Sequence, residues 1–397
     1  MKKKELHFDN TQNAYQLKSN AELLKSYYIY RIIANRFLVT LGGKIAALII
    51  KLRLPLQFLF KKTIYDQFCA GVAREDSLKV VHQLEKYNVK SYMHYATEGE
   101  WTEQGMEDHL HKSLETLSFS KGNSALPFTV FKPTGLGALS LFKKKTAKQP
   151  FSVKEEQAWQ RVNARIERFC ERAVALDVNV LIDAEETWIQ DAIDNVAEEL
   201  MKKYNATTPR IFTTVQMYRK DRLHYLKQLL EKAEKQGFIL GVKLVRGAYI
   251  EKENDRAEDK GYPSPICDSK TQTDTQFKQG LDFILNHLDR CHLFLGSHNE
   301  DSVQRVVDFM NANGIAANDS RIWFSQLFGM ADHITFNLAN AGFQVIKYVP
   351  YGPVRKVIPY LIRRAEENTS VSGQTPRELD LLQKELKRRK INAGASQ

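Results

Sequence analysis

The chain predicts an α/β fold of the (β/α)8 barrel type, and three observations predict it. Eight short β-rich runs each precede a longer stretch of helical periodicity, and such alternation means parallel strands joined by crossovers. The units span about 280 residues, the usual size of a barrel of this kind. A doubly wound open sheet, the competing architecture, usually carries a G-x-G-x-x-G turn after its first strand, and none occurs here. Of the 397 residues, 43% are apolar and 26% charged, a balance typical of soluble globular chains. A chain this long can bury a large core without staples.

Taken in order, residues 10–85 read mostly as helices, with apolar positions three and four apart. The candidate strands are 89–95, 128–132, 178–183, 211–216, 239–245, 292–297, 322–326 and 343–349, with helical patterns between them, as at 155–176, 188–204 and 221–236. Residues 135–150, with Lys143-Lys144-Lys145, read as a basic loop that is mobile and able to cover an active site. From Pro376 a charged helix, 378–389, leads into a polar tail. The expected organisation is a basic helical region over 1–85, a catalytic barrel over 86–370, and a charged helix and tail over 371–397. A C-terminal helix is expected to lie over the barrel mouth.

The formal net charge of +11 is unevenly placed: residues 1–62 hold twelve Lys/Arg and three Asp/Glu, or 12 − 3 = +9. The nearly neutral remainder gives no reason to expect nucleic acid as a partner. The apolar runs at 45–50 and 56–60 are interrupted by Lys51 and Arg53, so neither approaches the roughly 18 residues of a spanning helix. Met1-Lys2-Lys3-Lys4 does not lead directly into an apolar core, as a signal peptide would. Two readings of this region stand: a peripheral anchor to an anionic membrane at 40–62, or a basic amphipathic region packed on the barrel. Cys69, Cys170, Cys267 and Cys291 are scattered without C-x-x-C spacing, which fits reduced thiols in a cytoplasm, with contact to the inner membrane if the anchor reading holds.

In a barrel, chemistry sits at the C-terminal ends of the strands. Those ends carry Glu98, Lys132, Asp183, Gln216, Lys243 with Arg246-Gly247-Ala248-Tyr249, Ser297-His298-Asn299, Gln326-Leu327 and Lys347-Tyr348. Lys243 is the odd one, an ammonium inside a β-branched run, which is expensive to bury unless something anionic or electron-rich meets it. Gly247 at the strand end lets a ligand approach the backbone. Together they suggest a strand that points cations at a bound cofactor. His298 is the only histidine at a strand end, so no metal is expected, and neither a G-x-S-x-G elbow nor a P-loop is present. After the last strand, Tyr360, Arg363, Arg364 and Glu367 share one face of a helix. Two adjacent arginines can grip a carboxylate, with Glu367 orienting one guanidinium; a solvated helix face is the alternative. Taken singly, Lys132 also reads as a snorkelling lysine, Asp183 as a helix N-cap, and Gln216 and His298 as satisfied polar groups.

Val-Lys-Leu-Val-Arg-Gly-Ala-Tyr (242–249), Ser-His-Asn (297–299) and Tyr-Leu-Ile-Arg-Arg-Ala-Glu-Glu-Asn (360–368) resemble proline dehydrogenase. So do Asp-Ala-Glu-Glu (183–186), Thr-Val-Gln-Met-Tyr (214–218) and Phe-Ser-Gln-Leu-Phe-Gly-Met (324–330), all in the family's order. The single-function form is expected, since no aldehyde dehydrogenase domain follows. The resemblance implies an FAD enzyme on a distorted barrel that oxidises L-proline to Δ1-pyrroline-5-carboxylate, by hydride transfer to flavin N5, and passes the electrons to a membrane quinone. It implies that Lys243 and Arg246 tune the flavin, that Gln216 bonds its edge, and that Val245, Gly247, Ala248 and Tyr249 lie along it with Gln326 and Leu327. It places His298 and Asn299 at the pyrophosphate and adenosine side, with Thr271 and Thr273 nearby.

For the substrate, the resemblance implies a carboxylate clamp of Arg363 and Arg364, with Lys132 as a third cation. Asp183 would orient Lys132 or accept from a neighbouring donor. Leu327, Tyr348 and Tyr360 would wall the ring, and Glu98 would pair with a clamp arginine when the site closes. A tyrosine at 348 disfavours 4-hydroxyproline, so oxidation of that substrate is the alternative, beside a non-flavin barrel enzyme on a small anion or a non-catalytic membrane-associated protein. The family often has aspartate where His94 stands. Bifunctional members have arginine at Lys243 and tryptophan at Ile250; lysine keeps the charge but loses the fork.

Overall fold

A computed structural model describes residues 6–51, 61–96, 102–370 and 374–391, with the backbone alone described at Arg36, Lys44, 46–51, Lys62 and 366–370. The apolar run at 56–60 and Glu98 lie outside the described residues. Eight strands form one sheet: β1 (Val89–Tyr95), β2 (Phe128–Phe131), β3 (Asn179–Ile182), β4 (Ile211–Gln216), β5 (Leu240–Val245), β6 (Cys291–Gly296), β7 (Ile322–Leu327) and β8 (Val345–Tyr351). Their order is β1-β8-β7-β6-β5-β4-β3-β2, and β1–β8, β2–β3, β3–β4, β4–β5 and β5–β6 pair in parallel. This is the sequential, crossover-connected order of the expected (β/α)8 barrel.

The chain divides into two compact units. One comprises residues 1–98, 298–303 and 325–397, the other 99–297 and 304–324. In the second, the strands are near-continuous apolar runs, and β4 is buried at all six positions, as strands covered on both faces must be. Phe128 fills its interior, meeting Phe212, Phe294 and Trp323 edge-on with centroids 5.4, 5.0 and 5.1 Å away. Burying one such ring contributes about 1.5–3 kcal/mol, and edge-on contacts add to it.

The segment 135–150 is not the expected loop. Pro133–Gly135 forms a 3-10 turn and Leu139–Thr146 a helix. Phe142 is fully buried with its ring 5.2 Å from Trp159, Lys144 pairs with Glu155 at 2.6 Å, and the Ala192 N–H donates to Thr146 Oγ1 at 3.1 Å. The glycines and lysines give the sequence turn chemistry, but the buried Leu141-Phe142 pair decides the structure.

In the first unit, the helix Asn20–Ile33 opens with a capping box between Ser19 and Glu22 and buries Leu23, Tyr27, Tyr30 and Ile33. It packs with the helix Gln374–Arg388, whose Gln383 donates to the Tyr27 hydroxyl at 3.2 Å. Packing thus accounts for 20–33. The next helix, Arg36–Lys51, does not bury its whole apolar stripe: Phe37 is 71% exposed, and Leu38, Leu41 and Ile45 are exposed too. No helix among the described residues is long and apolar enough to cross a membrane.

β8 runs two residues later than 343–349. The Phe343 N–H closes the preceding helix by donating to the Leu338 carbonyl at 3.1 Å, after Gly342 at φ 90°. Lys347 and Tyr348 therefore sit mid-strand, opposite Ser91 and Tyr92 of β1.

Candidate active site

In the second unit, charged side chains cluster where the strands end. Lys243, in β5, donates from Nζ to Asp183 Oδ1 at 2.7 Å. The two positions come together because Asp183 follows β3 directly, its N–H donating to the Phe131 carbonyl. Arg246, one residue past β5, donates from Nε to Asp274 Oδ1 at 2.7 Å and from Nη1 to Ser297 Oγ at 3.4 Å, and its guanidinium lies 4.2 Å from the Phe277 ring centroid. Burial would raise the Asp274 carboxyl, but the hydrogen bonds from Lys270 and Arg246 hold it below the ordinary aspartate value.

Lys132 Nζ donates to the Tyr249 hydroxyl at 3.0 Å and lies 5.6 Å from that ring's centroid. Gln216 is buried and donates from Nε2 to the Glu185 carbonyl at 2.8 Å. The Glu185 carboxylate accepts from the N–H and Oγ1 of Thr134; burial raises its pKa against the opposing charge of Lys132. From Val245 to Tyr249 every residue is half-buried, directly after the covered part of β5. Gly247 has a packing reason beyond ligand approach: it sits at φ 137°, and an added Cβ would come within 2.3 Å of the Tyr218 ring. Thr273 is buried, whereas Thr271, one turn-face away on the helix Lys270–Leu285, is exposed.

In the first unit, the loop 327–331 is held from four directions. Lys347, 1% exposed, donates to the carbonyls of Leu327 (3.1 Å) and Met330 (2.5 Å) and to Asp332 Oδ1 (2.9 Å). Burial lowers its pKa, with Asp332 opposing the shift. It is a structural cation, not the mouth-lining group its strand-end position suggested. Glu378 Oε1 accepts the N–H of Ala331, a non-glycine residue at φ 50°. Tyr30 and Gln67 both donate to the Gly329 carbonyl, at 2.9 and 2.8 Å. Gly329 itself, at φ 76°, leaves no room for a side chain: a Cβ would fall 1.8 Å from the Gln67 carbonyl oxygen.

The Leu327 N–H donates to His298 Nε2 at 3.0 Å. Burial, with Lys347 and Arg364 next in effect, pushes the His298 pKa down to about 3. The imidazole is therefore neutral with its proton on Nδ1, and can serve an anion only as a hydrogen-bond donor. Asn299 Oδ1 caps the helix Glu300–Ala312 by accepting from Ser302 N and Oγ. Gln326 is buried, its Oε1 accepting from Thr335 Oγ1 at 2.9 Å. Tyr348 and Tyr360 are buried with centroids 6.1 Å apart, and the Arg364 guanidinium lies 5.3 Å from the Tyr360 centroid. Arg363 and Leu327 are half-buried, and of Glu367 only the backbone is described, in the helix Val354–Ser370.

The proline dehydrogenase family profile matches residues 77–377. The chain belongs to the proline dehydrogenase family. Membership makes it an oxidoreductase of that type. It is 34% identical over 325 residues to the carbapenem antibiotics biosynthesis protein CarD of Pectobacterium carotovorum subsp. carotovorum, covering 82% of this chain and 84% of that protein. It is 40% identical over 242 residues to mitochondrial proline dehydrogenase 1 of Homo sapiens, covering 60% of this chain but only 40% of the human one. It is also 32% identical over 438 residues to the hydroxyproline dehydrogenase of Bos taurus, covering 98% of this chain and 94% of the relative. Among solved structures, proline utilization A from Bdellovibrio bacteriovorus, inactivated by N-propargylglycine, has TM-score 0.70 at 20% identity over 80% of this chain and 35% of its own. The Bradyrhizobium japonicum protein of the same name has TM-score 0.63 at 19% identity, over 83% and 34%. These two are likenesses of fold.

Asp274, Glu185, Glu378 and His94 escape sequence reasoning as members of these clusters. Asp274 carries one usable signal, its place in the first turns of the helix that Ser269 caps, where a strand-end arginine can reach it. The family profile therefore covers every sequence-predicted site residue, yet it stops one residue short of Glu378.

A folded-state pKa of about 3 at His298, against 6.5 for the free imidazole, has a definite sign. The stability it confers is complete above about pH 6.5 and lost as pH falls toward 3, because the unfolded chain then binds the extra proton. His298→Gln keeps an acceptor but does not titrate. Thermal unfolding from pH 7.5 to 4 should show the wild type losing more Tm than the variant; parallel losses would contradict the neutral assignment.

Proposed function

We propose that this chain catalyses the FAD-dependent oxidation of L-proline to Δ1-pyrroline-5-carboxylate, with a membrane quinone as final acceptor, the first step in degrading proline to glutamate. The observation that carries the reading is the pair of acid-matched cations, Lys243 with Asp183 and Arg246 with Asp274, beside the half-buried run Val245–Tyr249. This donor set fits a flavin: directed N–H groups and accessible backbone suit a flat, hydrogen-bonding ring that becomes anionic on reduction. Bound FAD supplies the acceptor for the hydride and for its passage onward as electrons.

The residues of the chain do the rest. Lys243 and Arg246 favour the reduced cofactor, and their acids moderate the charge while fixing its direction. Gln216, His298, Asn299 and Thr273 hold the remaining polar edges, His298 as a neutral donor. Arg363 and Arg364 clamp the carboxylate of proline, with Lys132 as a third cation, while Leu327, Tyr348 and Tyr360 exclude water from the ring. Glu98 and Glu367 are proposed as acids that orient the clamp arginines. A second reading, oxidation of 4-hydroxyproline, draws support from the Bos taurus relative, but buried Tyr348 favours proline.

We further propose peripheral contact with an anionic membrane through the helix Arg36–Lys51. Phe37, Leu41 and Ile45 recur every fourth residue and are exposed, and the helix has three basic and no acidic residues. An exposed apolar stripe on a helix of basic composition suits a headgroup boundary.

Three outcomes are expected. The purified protein should be yellow, and its flavin bands should bleach anaerobically on adding L-proline; a colourless protein that takes up no added FAD would sink the enzyme reading. Arg363→Met should raise KM for proline on the order of 100-fold, as loss of a buried charge-assisted contact does, with flavin still bound. An unchanged KM removes Arg363 from the clamp. For the membrane, Phe37→Glu/Leu41→Glu should abolish sedimentation with phosphatidylserine vesicles while leaving turnover with a soluble dye acceptor intact. Undiminished sedimentation excludes the helix.

A further inference from the structure

His94 has no role in the readings above, and the structure gives it a partner. It lies in β1, buried, and its Nδ1 is 2.6 Å from the Tyr348 hydroxyl. The two rings are tilted at 51° with centroids 5.6 Å apart. β1 and β8 set this up through their register: Tyr92 faces Tyr348 and His94 faces Pro350, so the histidine reaches back across the ladder to the phenol. Tyr348 is held on its other edges as well. Tyr92 meets it edge-on at 5.3 Å and is itself anchored to Ser325 at 3.2 Å, while Tyr360, under Arg364, lies 6.1 Å away.

We propose that His94 is a specificity-positioning residue: by holding the Tyr348 hydroxyl it fixes the phenol as a rigid wall against the substrate ring. The proposal rests on the reading above that Tyr348 contacts that ring. The hydrogen bond adds a directional restraint to the ring contacts, which by themselves resist displacement weakly. With it, moving Tyr348 to admit a ring hydroxyl leaves a buried imidazole nitrogen without its partner. A ring hydroxyl would also meet a phenol oxygen already engaged elsewhere. In either protonation state an imidazole adds no negative charge near the arginines that hold the substrate carboxylate. His94 thus acts through Tyr348 and is not itself expected to touch substrate.

A double-mutant cycle tests this, read as the ratio of kcat/KM for L-proline to that for trans-4-hydroxy-L-proline. His94→Leu and Tyr348→Phe should each lower the ratio about tenfold, the size of one lost hydrogen bond, and the double variant should fall no further. His94→Asn, whose amide sits where Nδ1 does, should restore most of the ratio. An unchanged ratio in His94→Leu, or an equal further drop in the Tyr348→Phe background, overturns the proposal. Should His94→Leu not fold, His94→Gln, which moves the amide one bond outward, replaces it with the same outcomes. A wild type that does not oxidise proline would refute the proposed activity instead, so the two failures are distinct.

Discussion

Among the described residues, the cations that these strands carry toward their C-terminal ends meet partners from neighbouring elements: acids for Lys243, Arg246 and Lys347, and a phenol for Lys132. Removing an ammonium or guanidinium from water costs several kcal/mol, recovered only with good geometry. Lys243 finds Asp183 just past β3, and Arg246 finds Asp274 in the helix Lys270–Leu285. Lys347, the most deeply buried, takes two carbonyls as well as Asp332. Lys243 and Lys347 each tie a loop to a strand, and Arg246 ties the end of β5 to a helix.

In the first unit the same requirement reaches the ends of the chain. The loop 327–331 leaves β7 in a strained course, with Ala331 and Gly329 both at positive φ. Its polar backbone is satisfied by Tyr30 and Gln67 from the N-terminal helices and by Glu378 from the C-terminal one. All three lie outside the span 77–377 of the family profile. The terminal helices are therefore part of what positions Leu327 and, through its N–H, His298. Backbone strain of this kind persists only where the surroundings over-determine it, and here three separate elements do so.

Much of this was legible in the sequence. Alternating β-rich and helical patterns placed all eight strands within two residues, because strands buried on both faces are written as apolar runs. Lys243 stood out as a charge in such a run, and its need for an anion followed directly. The partner's identity did not: Asp183 is sixty positions away and reads equally well as a cap. Asp274 was hidden among the charged residues of a helix, and Glu378 at the start of another charged helix. The helix Leu139–Thr146 was masked by its lysines and flanking glycines, since turn chemistry is local and the burial of Phe142 is not. The shift of β8 depended on how the preceding helix ends, and that shift made Lys347 structural. His94 looked like an unexplained departure until the β1–β8 register brought it to Tyr348.

The central claim is that matched charges at the end of β5 set how readily the bound cofactor takes electrons. The midpoint potential of the flavin in Lys243→Met and Asp183→Asn tests it most directly. Removing the cation should lower the potential and removing the acid should raise it, each by about 30 mV for a 1.4 kcal/mol change in a two-electron couple. Potentials that stay at the wild-type value, or move in the same direction in both variants, would contradict the account.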